Sequence, residues 1–518
     1  MSDDFSYDAV PYQSNFQPQM HPDRMATLAT LLGMKPAAVE SCRYLELGCG
    51  EGDNLIAFAH ALPESEFVGI DLSARQIETA NRAVEELALK NVKFLHLDVM
   101  RLSREEYGQF DYVAAHGFFS WVPDSVRRKV LALYSELLAP NGVGYLSYNV
   151  LPGGYLRQMM RDIMIYHTQT EPPSLAKVEK GLSVLSFLRD GTKKNDYYQA
   201  ILKNEINFVL NHDAPNVLHD ELGEENQPFY FHEFVKLAAE NDLQYLCESE
   251  YYQVPLNEYP PQTREILESF GDDHIRREQY ADFLLCRRFR QTLLCHADVT
   301  LNRAVEPNKL REFYIASAIS PADKTAELKT NKIEKFRFPN GAVIELDHPL
   351  TKVALAHLGS IWTKSINFDD LVNLARQKIE NHGGVIEDWE KALHTTCSIL
   401  LELYKHSTVE LHIHQPNFTR QVSDFPCVSP LAYWQLKRGD KVTTLNNAQV
   451  KIDDSFFRHL LPMLDGTRNK LDLKKELRKK ISAGQLSDVG EKSALLRDLP
   501  MMLQENLAHT AKLGLLIS

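Results

Sequence analysis

Three acidic side chains and a cluster of glycines are the residues of this sequence whose types and spacing suggest chemistry. Glu46 precedes the glycine loop Gly48–Gly52 (GCGEG), Asp71 lies 23 residues after Gly48, and Asp98 follows later. Glycine permits positive φ angles and has no Cβ atom to keep a ligand away from the backbone. A carboxylate such as Asp71 can accept hydrogen bonds from two ribose hydroxyls. The pattern therefore predicts a site for a ligand that contains a nucleoside.

The spacing of the glycines separates the classes of nucleotide ligand. A dinucleotide fingerprint, G-x-G-x-x-G, needs its third glycine at position 53, where this chain has Asp53. A P-loop needs Lys followed by Ser or Thr, and that pair does not follow Gly52. The pattern here is E-x-G-x-G-x-G, and its acidic residue favours a positively charged ligand over a pyrophosphate. For this stretch alone, a glycine turn without a ligand is the alternative.

Short apolar runs predict the strands that position these groups. Tyr44–Leu47, Glu66–Ile70 and Val92–Leu97 are predicted strands, and each unit has a polar residue at the carboxyl end of its strand. The spacing of apolar residues in 54–62 predicts a helix after the glycine loop. Successive βα units form a parallel, doubly wound α/β sheet, whose ligands bind at the carboxyl ends of the strands. Three units with polar residues at that end argue against a ligand-free turn.

Two further predicted strands bring a second group of side chains to the same edge of the sheet. The strands are Phe110–Ala115 and Gly144–Val150, with a helix over Pro123–Leu138 between them. The residues that follow these strands, where a second substrate would meet the ligand, are His116, Phe118, Phe119, Trp121, Tyr148 and Asn149. The aromatic members could line a channel, or each could belong to the core. A glycine-rich exit, Pro152–Gly154, follows the second of these strands.

Composition and charge narrow the functional classes. The chain has 518 residues, of which 44% are hydrophobic and 25% charged, as is ordinary for a globular protein of several domains. A formal net charge of −13 disfavours a nucleic-acid partner. Seven cysteines without a C-x-x-C pair favour a reducing compartment. The acidic amino terminus and the Pro- and Gly-broken apolar runs predict a cytoplasmic protein without a membrane span.

Changes in composition and in the pattern of apolar residues along the chain predict its domains. Residues 1–23 form an amino-terminal arm, which could close over the ligand with Tyr7 and Tyr12, and 24–298 form the α/β domain with a helical insertion at about 154–227. Two similar segments, Asn340–Leu371 and Asn447–Leu477, predict winged-helix-like domains at 299–415 and 416–518. We expect these domains to bind protein or to have a structural role. His412 and His414 share a strand face without further ligands nearby in sequence, so no metal site is predicted.

Several motifs resemble those of one protein family. E-x-G-x-G-x-G resembles motif I of class I methyltransferases that use S-adenosylmethionine (SAM), a ligand with a sulfonium and an ammonium group. Other segments resemble bacterial methyltransferases with an appended methyltransferase regulatory domain, among them the rickettsial-type protein lysine methyltransferases that act on outer membrane proteins. These segments are Gln13–Asn15, His21–Arg24, His116–Pro123, Tyr148–Asn149, Pro228–Phe234 and Phe289–Leu294. The resemblance covers nearly the whole chain.

This resemblance implies a Rossmann-like core and SAM as the cofactor. The residues expected to surround the cofactor are Glu46, Gly48, Cys49, Gly50, Asn54, Asp71, Leu72, Asp98, Val99 and His116. The candidates for catalysis are His116, Trp121, Tyr148 and Asn149. His116 could be a general base or a hydrogen-bonding scaffold, and the alternatives stay open.

Three functions are compatible with these motifs. The first is a protein lysine methyltransferase, in which an aromatic channel desolvates the amine and favours its neutral form over the ammonium, whose pKa is near ~10.4. Its acceptor would be an exposed or unfolded segment, for example of an outer membrane protein before export, and the enzyme could be a homodimer. The second is a small-molecule methyltransferase. The third is a SAM-sensing regulatory protein.

Overall fold

The chain folds into two compact units. The computed structural model describes Val10, Tyr12 and residues 15–192, 196–251, 259–486 and 488–517. The first unit comprises the described residues of Met1–Ala59, Glu64–Glu86 and Lys90–Asn302. The second comprises those of His60–Pro63, Leu87–Leu89 and Arg303–Ser518.

A seven-stranded sheet forms the centre of the first unit. Its strands are β1 (Arg43–Leu47), β2 (Glu66–Asp71), β3 (Val92–His96), β4 (Phe110–Ala115), β5 (Leu138–Asn149), β6 (Leu243–Glu248) and β7 (Phe289–His296). They lie in the order β3-β2-β1-β4-β5-β7-β6, and β7 is antiparallel to both its neighbours while the other pairs are parallel. The chain reverses its direction of travel across the sheet between β1 and β4, so the crevice beyond their carboxyl ends is the expected ligand site.

Helices alternate with these strands, as the sequence pattern predicts. They are α1 (Pro22–Leu31), α2 (Asp53–Ala61), α3 (Ala74–Leu87), α4 (Arg104–Tyr107), α5 (Asp124–Leu137), α6 (Gly153–His167), α7 (Leu175–Gly191), α8 (Tyr197–Leu210), α9 (Ala214–Asn216), α10 (Phe231–Ala239), α11 (Pro261–Ser269) and α12 (His274–Leu285). The buried core includes Leu45 of β1, Val113 of β4, Leu131 of α5 and Leu146 of β5. The prediction of a doubly wound, Rossmann-like α/β core is confirmed.

The helices α6 to α9 have a hydrophobic core of their own. Met160, Leu185, Ile206 and Leu218 are among its buried members. Within this insertion, α9 continues into a π-helical turn, Val217–Glu221. Its apolar residues are too few to show helical periodicity in the sequence. Val217, Leu218 and Leu222 are nevertheless buried in the core that α6 to α9 share.

The amino-terminal segment packs against the sheet from residue 16 onward. Phe16 and Met20 are buried, and the ring centroid of Phe16 lies 5.8 Å from that of Phe58 in α2. The hydroxyl of Tyr44 donates to the carbonyl oxygen of Met20 at 2.8 Å. Residues 16–23 are therefore part of the domain and not a free arm. Tyr7, the other predicted lid residue besides Tyr12, lies outside the described residues.

The first unit extends a few residues beyond the predicted boundary at 298. The side-chain amide of Gln244 donates to the carbonyl oxygen of Val299 at 2.7 Å. The backbone N–H of Asn302 donates to the carbonyl oxygen of Leu32 at 2.8 Å. We therefore propose residue 302, and not residue 298, as the end of the α/β domain.

Small sheets and helices build the second unit. Its strands are β8 (Tyr314–Ala316), β9 (Ser320–Pro321), β10 (Glu334–Arg337), β11 (Val343–Leu346), β12 (Ile366–Asn367), β13 (Glu410–His412), β14 (Lys441–Thr443) and β15 (Gln449–Lys451). Its helices are α13 (Pro349–Ile361), α14 (Phe368–Glu380), α15 (Trp389–Lys405), α16 (Pro430–Leu436), α17 (Ser455–Leu460), α18 (Lys470–Ser482) and α19 (Lys492–Lys512). The two similar sequence segments thus form β11-α13-α14 and β15-α17-α18, and their description as a duplication stays a prediction.

The described residues contain neither a helix that could span a membrane nor a cluster of metal ligands. Within the described ranges, no helix is long and apolar enough to cross a bilayer. In the same part of the chain, no group of three or more His, Cys, Asp or Glu side chains is arranged to hold a metal ion. The imidazole Nε2 of His412 lies 3.4 Å from Oε2 of Glu410.

Candidate active site

The glycine loop between β1 and α2 is shaped by contacts within the protein. Gly48, Gly50 and Gly52 have φ angles of 71°, 55° and 78°, which favour glycine. A Cβ atom on Gly48 would lie 2.6 Å from Cδ2 of Phe118, and one on Gly52 would lie 2.4 Å from Cζ of Phe94. At these two positions the missing Cβ therefore makes room for an aromatic ring of the protein and not only for a ligand.

Glu46 is a buried carboxylate with one unpaired oxygen. It is 2% exposed, and its Oε1 accepts a hydrogen bond from Nδ2 of Asn54 at 2.9 Å. Oε2 is buried without a hydrogen-bond partner among the described residues. Burial raises the pKa of Glu46 to about 8, although the bond from Asn54 opposes this shift. Such a group gains a partner if a cationic ligand binds beside it.

Asn54 and Cys49 support the loop from within. The side-chain oxygen of Asn54 accepts from the backbone N–H of Gln17 at 2.7 Å, so one amide side chain connects Glu46 to the amino-terminal segment. The thiol of Cys49 is buried, and burial raises its pKa well above the ordinary value. Cys49 is thus a neutral packing residue of the loop.

Asp71 holds the glycine loop through backbone hydrogen bonds. Its Oδ2 accepts from the N–H of Gly50 at 2.9 Å, and its Oδ1 accepts from the N–H of Ser73 at 2.8 Å. The carboxylate lies at the end of β2, is partly exposed, and can accept further bonds through its remaining lone pairs. Its neighbour Leu72 is half-exposed. The structure therefore joins the predicted ribose acceptor directly to the predicted cofactor loop.

Asp98 and Val99 lie at the end of β3. The side chain of Asp98 accepts from the backbone N–H of Met100 at 2.9 Å and caps the short turn Val99–Arg101. Asp98 is partly exposed and Val99 is buried in the core. The cap fixes this carboxylate at the same edge of the sheet as Asp71, since β2 and β3 are parallel neighbours.

His116 follows β4 and is held by aromatic neighbours. Its Nδ1 lies 2.8 Å from the hydroxyl of Tyr145, and the two rings stack with centroids 6.0 Å apart. The ring of Phe289 meets it edge-on at 5.8 Å. Burial lowers the pKa of His116 to about 4, so the imidazole is neutral at pH 7. Of the two roles suggested by the sequence, this environment favours the hydrogen-bonding scaffold over the general base.

Trp121 contacts two arginine side chains of α6. The guanidinium carbons of Arg157 and Arg161 lie 5.1 Å and 5.5 Å from the centroid of its ring. Arg157 also forms ion pairs with Glu221 at 2.9 Å and with Asp220 at 3.4 Å. Burial raises the pKa of Asp220 to about 6, although Arg157 opposes this shift. The protein's own guanidinium groups thus take up part of the cation–π capacity of Trp121.

Tyr148 and Asn149 point to different surroundings because neighbouring strand residues face opposite sides of a sheet. The ring of Tyr148 is buried and stacks on Phe234 of α10 at 3.9 Å, and its hydroxyl lies 3.1 Å from that of Thr292. The structure therefore places Tyr148 in the core together with Phe119, whose ring centroid lies 6.5 Å away. Asn149 faces the helical insertion, where its Nδ2 donates to Oδ1 of Asn226 at 2.8 Å.

The turn after β5 is closely packed. A Cβ atom on Gly153 would lie 2.3 Å from the carbonyl oxygen of Cys286, and the N–H of Gly153 donates to the carbonyl oxygen of Arg287 at 3.0 Å. In the glycine-rich exit Pro152–Gly154, the missing Cβ of Gly153 allows α6 to begin against the segment that precedes β7.

Sequence models of known families match three parts of this chain. Residues 45–143 match a methyltransferase domain, and residues 213–296 match a family described as a predicted methyltransferase regulatory domain. Residues 424–512 match the description "PKMT, C-terminal winged helix domain". The solved structure of PKMT2 from Rickettsia typhi in complex with AdoHcy aligns with a TM-score of 0.85 at 27% identity, over 98% of this chain and 100% of that one. The chain is a SAM-dependent methyltransferase.

Relatives in sequence place this methyltransferase in a family. An uncharacterized protein of Rickettsia prowazekii is 32% identical over 94% of this chain and 88% of its own length. A second protein of that organism is 35% identical over 46% of this chain and 96% of its own length. A second structure of PKMT2 from Rickettsia typhi aligns with a TM-score of 0.86 at 28% identity. The chain therefore belongs to the family of methyltransferases with an appended regulatory domain that its motifs resemble.

Several residues that contact the predicted site escaped sequence reasoning. Arg157 and Arg161 contact Trp121, Asp220 and Glu221 pair with Arg157, and Asn226 binds Asn149. They all lie in the helical insertion, where no motif spacing pointed to them. The i, i+4 spacing of the two arginines on a predicted helix was a usable signal that they share a face.

Proposed function

We propose that this methyltransferase transfers the methyl group of SAM to the ε-amino group of a lysine in a protein acceptor. The observation that carries the proposal is the end-to-end likeness to PKMT2, which extends through the insertion and the carboxyl-terminal half to 98% of the chain. A likeness limited to the SAM-binding core would be compatible with many acceptors. The shared accessory regions favour the same class of acceptor, a protein lysine.

The residues of the glycine loop fit SAM. The unpaired, buried Oε2 of Glu46 suits a ligand with an ammonium and a sulfonium group, and the carboxylates of Asp71 and Asp98 lie at the ends of adjacent strands as ribose and adenine acceptors would. Tyr12 could cover this edge, because its carbonyl oxygen accepts from Nε2 of Gln76 at 3.3 Å and its ring lies 6.0 Å from that of His219. When bound, SAM supplies an activated methyl group, so no covalent intermediate with the protein is needed.

The side chains beyond β4 and β5 then have to orient the acceptor. Methyl transfer depends mainly on the alignment of donor and nucleophile. His116, with its pKa lowered to about 4 by burial, is too weak a base to take a proton from a lysine ammonium, whose pKa is near ~10.4. We infer that the ammonium loses its proton to solvent before it enters the site. His116 then orders the edge through its bond with Tyr145.

A labelling experiment tests this function. The full chain is incubated with [methyl-³H]SAM and a cell lysate that has been split into protein and metabolite pools. The expected result is label in protein, recovered as methyl-lysine after acid hydrolysis. Label confined to metabolites would favour the small-molecule methyltransferase, and tight SAM binding without any transfer would favour the SAM sensor. The variant Asp71→Ala, which removes a cofactor contact, is the negative control.

The proposed function also includes a protein acceptor of a particular class and methylation in the cytoplasm. The family resemblance supports an outer membrane protein, met before export in the cytoplasm, as the acceptor, and we keep the homodimer as a prediction. Unfolded and folded outer membrane protein can be compared as substrates. Faster methylation of the folded form would count against a role before export. Analytical ultracentrifugation of the full chain tests the dimer.

A further inference from the structure

The backbone of Asn149 is held on both sides at the end of β5. Its N–H donates to Oγ of Ser120 at 2.9 Å, and its carbonyl oxygen accepts from the N–H of Phe229 at 3.0 Å. The residue as a whole is 3% exposed. Only the rotation of its side-chain amide, which could exchange the positions of Oδ1 and Nδ2, is left undetermined by these contacts.

A chain of side-chain amides determines that rotation. Nδ2 of Asn149 donates to Oδ1 of Asn226 at 2.8 Å, Nδ2 of Asn226 donates to Oε1 of Gln158 at 3.0 Å, and Nε2 of Gln158 donates to Oδ1 of Asp162 at 2.7 Å. An ionised carboxylate can only accept hydrogen bonds. Asp162 therefore requires the NH2 group of Gln158, and this requirement passes through Asn226 to Asn149. A flip of any one amide would place two donors or two acceptors against each other.

The chain of amide hydrogen bonds uses Nδ2 of Asn149 and leaves its Oδ1 able to accept a hydrogen bond. Within the described part of the chain this oxygen accepts no hydrogen bond, and it is not among the fully buried atoms that lack a partner, so the protein does not enclose it completely. We propose that Oδ1 of Asn149 accepts a hydrogen bond from the substrate amine, and that Asn226 and Gln158 are positioning residues that keep this oxygen turned toward the acceptor. The inference rests on the proposed function.

The chemistry of methyl transfer suits a neutral acceptor group. A neutral lysine amine has two N–H donors and one lone pair, and a bond from one N–H to Oδ1 of Asn149 orients the lone pair toward the methyl donor. A carboxylate in the same place would stabilise the ammonium form and lower the fraction of reactive amine. The reversed amide would present an N–H group to the lone pair and compete with the reaction. The transferred methyl group forms the new C–N bond as the C–S bond breaks.

Two substitutions of Gln158 test whether the orientation of the Asn149 amide depends on the hydrogen bonds that link it to Gln158 through Asn226. In Gln158→Glu the new carboxyl group shares a proton with Asp162, and its other oxygen still accepts from Nδ2 of Asn226, so the amide of Asn149 keeps its orientation. In Gln158→Lys the side chain can only donate, so Asn226 turns its oxygen toward it and Asn149 is no longer held. We expect kcat near the wild-type value for Gln158→Glu and a kcat about tenfold to a hundredfold lower for Gln158→Lys, with unchanged affinity for SAM.

Two substitutions of Asn226 distinguish a role in orienting the Asn149 amide from a role in packing alone. Asn226→Asp still accepts from Nδ2 of Asn149 and should retain most of kcat, whereas Asn226→Leu removes the acceptor and should lower kcat like Gln158→Lys. Glu224→Leu, an exposed position in the same segment, is the matched control for the added apolar side chain. Calorimetry with SAM and thermal unfolding are measured for every variant, so that a folding defect is recognised.

The outcomes distinguish the inference from the function on which it rests. Low kcat in Gln158→Lys and Asn226→Leu, with activity kept in Gln158→Glu and Asn226→Asp, supports the inference. Equal activity of the two Gln158 variants, or equal loss in the two Asn226 variants, overturns it while the function stands. A wild-type chain that binds SAM but methylates no lysine overturns both.

Discussion

At the scale of single residues, Glu46 makes the binding of SAM dependent on pH. Burial raises its pKa to about 8, so its carboxyl group is largely protonated at pH 7, and a cationic ligand favours the ionised form. We expect the affinity for SAM to rise up to about tenfold per pH unit between about pH 6 and 7.5, with release of a proton on binding. Calorimetry in buffers of different ionisation enthalpy measures this proton. In Glu46→Gln the affinity should be lower and the slope should vanish, and an unchanged slope would contradict the assignment.

The raised pKa of Glu46 also makes the stability of the fold depend on pH. Because the folded-state pKa of Glu46 lies above the ordinary value of 4.5, its contribution to the free energy of unfolding is fully present below about pH 4.5 and is lost as the pH rises through about 8. The protein without SAM should therefore become less stable over this interval. Glu46→Gln should reduce that dependence in denaturant titrations at several pH values.

Asp71 combines two roles at the residue scale. Asp71→Ala removes the proposed ribose contacts and the bond to the N–H of Gly50 that holds the loop. We expect the affinity for SAM to fall about tenfold to a hundredfold, as for the loss of a charged hydrogen-bond acceptor. Asp111→Ala is the control, since Oδ2 of Asp111 accepts from the N–H of Arg43 at the opposite end of β1. Calorimetry that shows equal losses in the two variants would refute the placement of the cofactor.

At the scale of elements, the start of α6 depends on Gly153. In Gly153→Ala the new Cβ would lie 2.3 Å from the carbonyl oxygen of Cys286, and backbone cannot move aside as a flexible side chain can. We expect the free energy of unfolding to fall by about 1–3 kcal/mol. Gly191→Ala, at the end of α7 with no atom within 4 Å of the new Cβ, should be neutral or stabilising. Urea titration compares them, and equal stability of the two would contradict the packing described for α6.

At the scale of the whole molecule, the first unit should bind SAM without the second. A fragment of residues 1–302 keeps the bonds of Gln244 to Val299 and of Asn302 to Leu32, and it should bind SAM as the full chain does. A fragment that ends at 298 loses these bonds and should unfold at a lower temperature. Calorimetry and thermal unfolding of both fragments test this prediction. A folded 1–302 fragment that does not bind SAM would show that cofactor binding needs the carboxyl-terminal half.

Local patterns in the sequence predict the five parallel strands of the sheet, the glycine loop and the acidic residues at the strand ends. These features depend on local periodicity and on spacing within a single βα unit, and parallel connection then brings the strand ends to one edge. Glu46, Asp71 and Asp98 therefore lie at the edge where the sequence predicts them. The domain boundaries and the roles of the individual site residues stay predictions.

Which side chains share an environment across that edge depends on packing between elements that are distant in sequence. Tyr148 and Asn149 are neighbours in one motif, but packing of α10 buries the first, and the insertion meets the second. Asn149 and Asn226 are 77 residues apart, and their contact depends on how the insertion closes over the end of β5. Local sequence patterns carry no information about such contacts, because packing between distant elements sets them. The direction of the amide chain likewise follows from a single carboxylate, Asp162, which no motif marks.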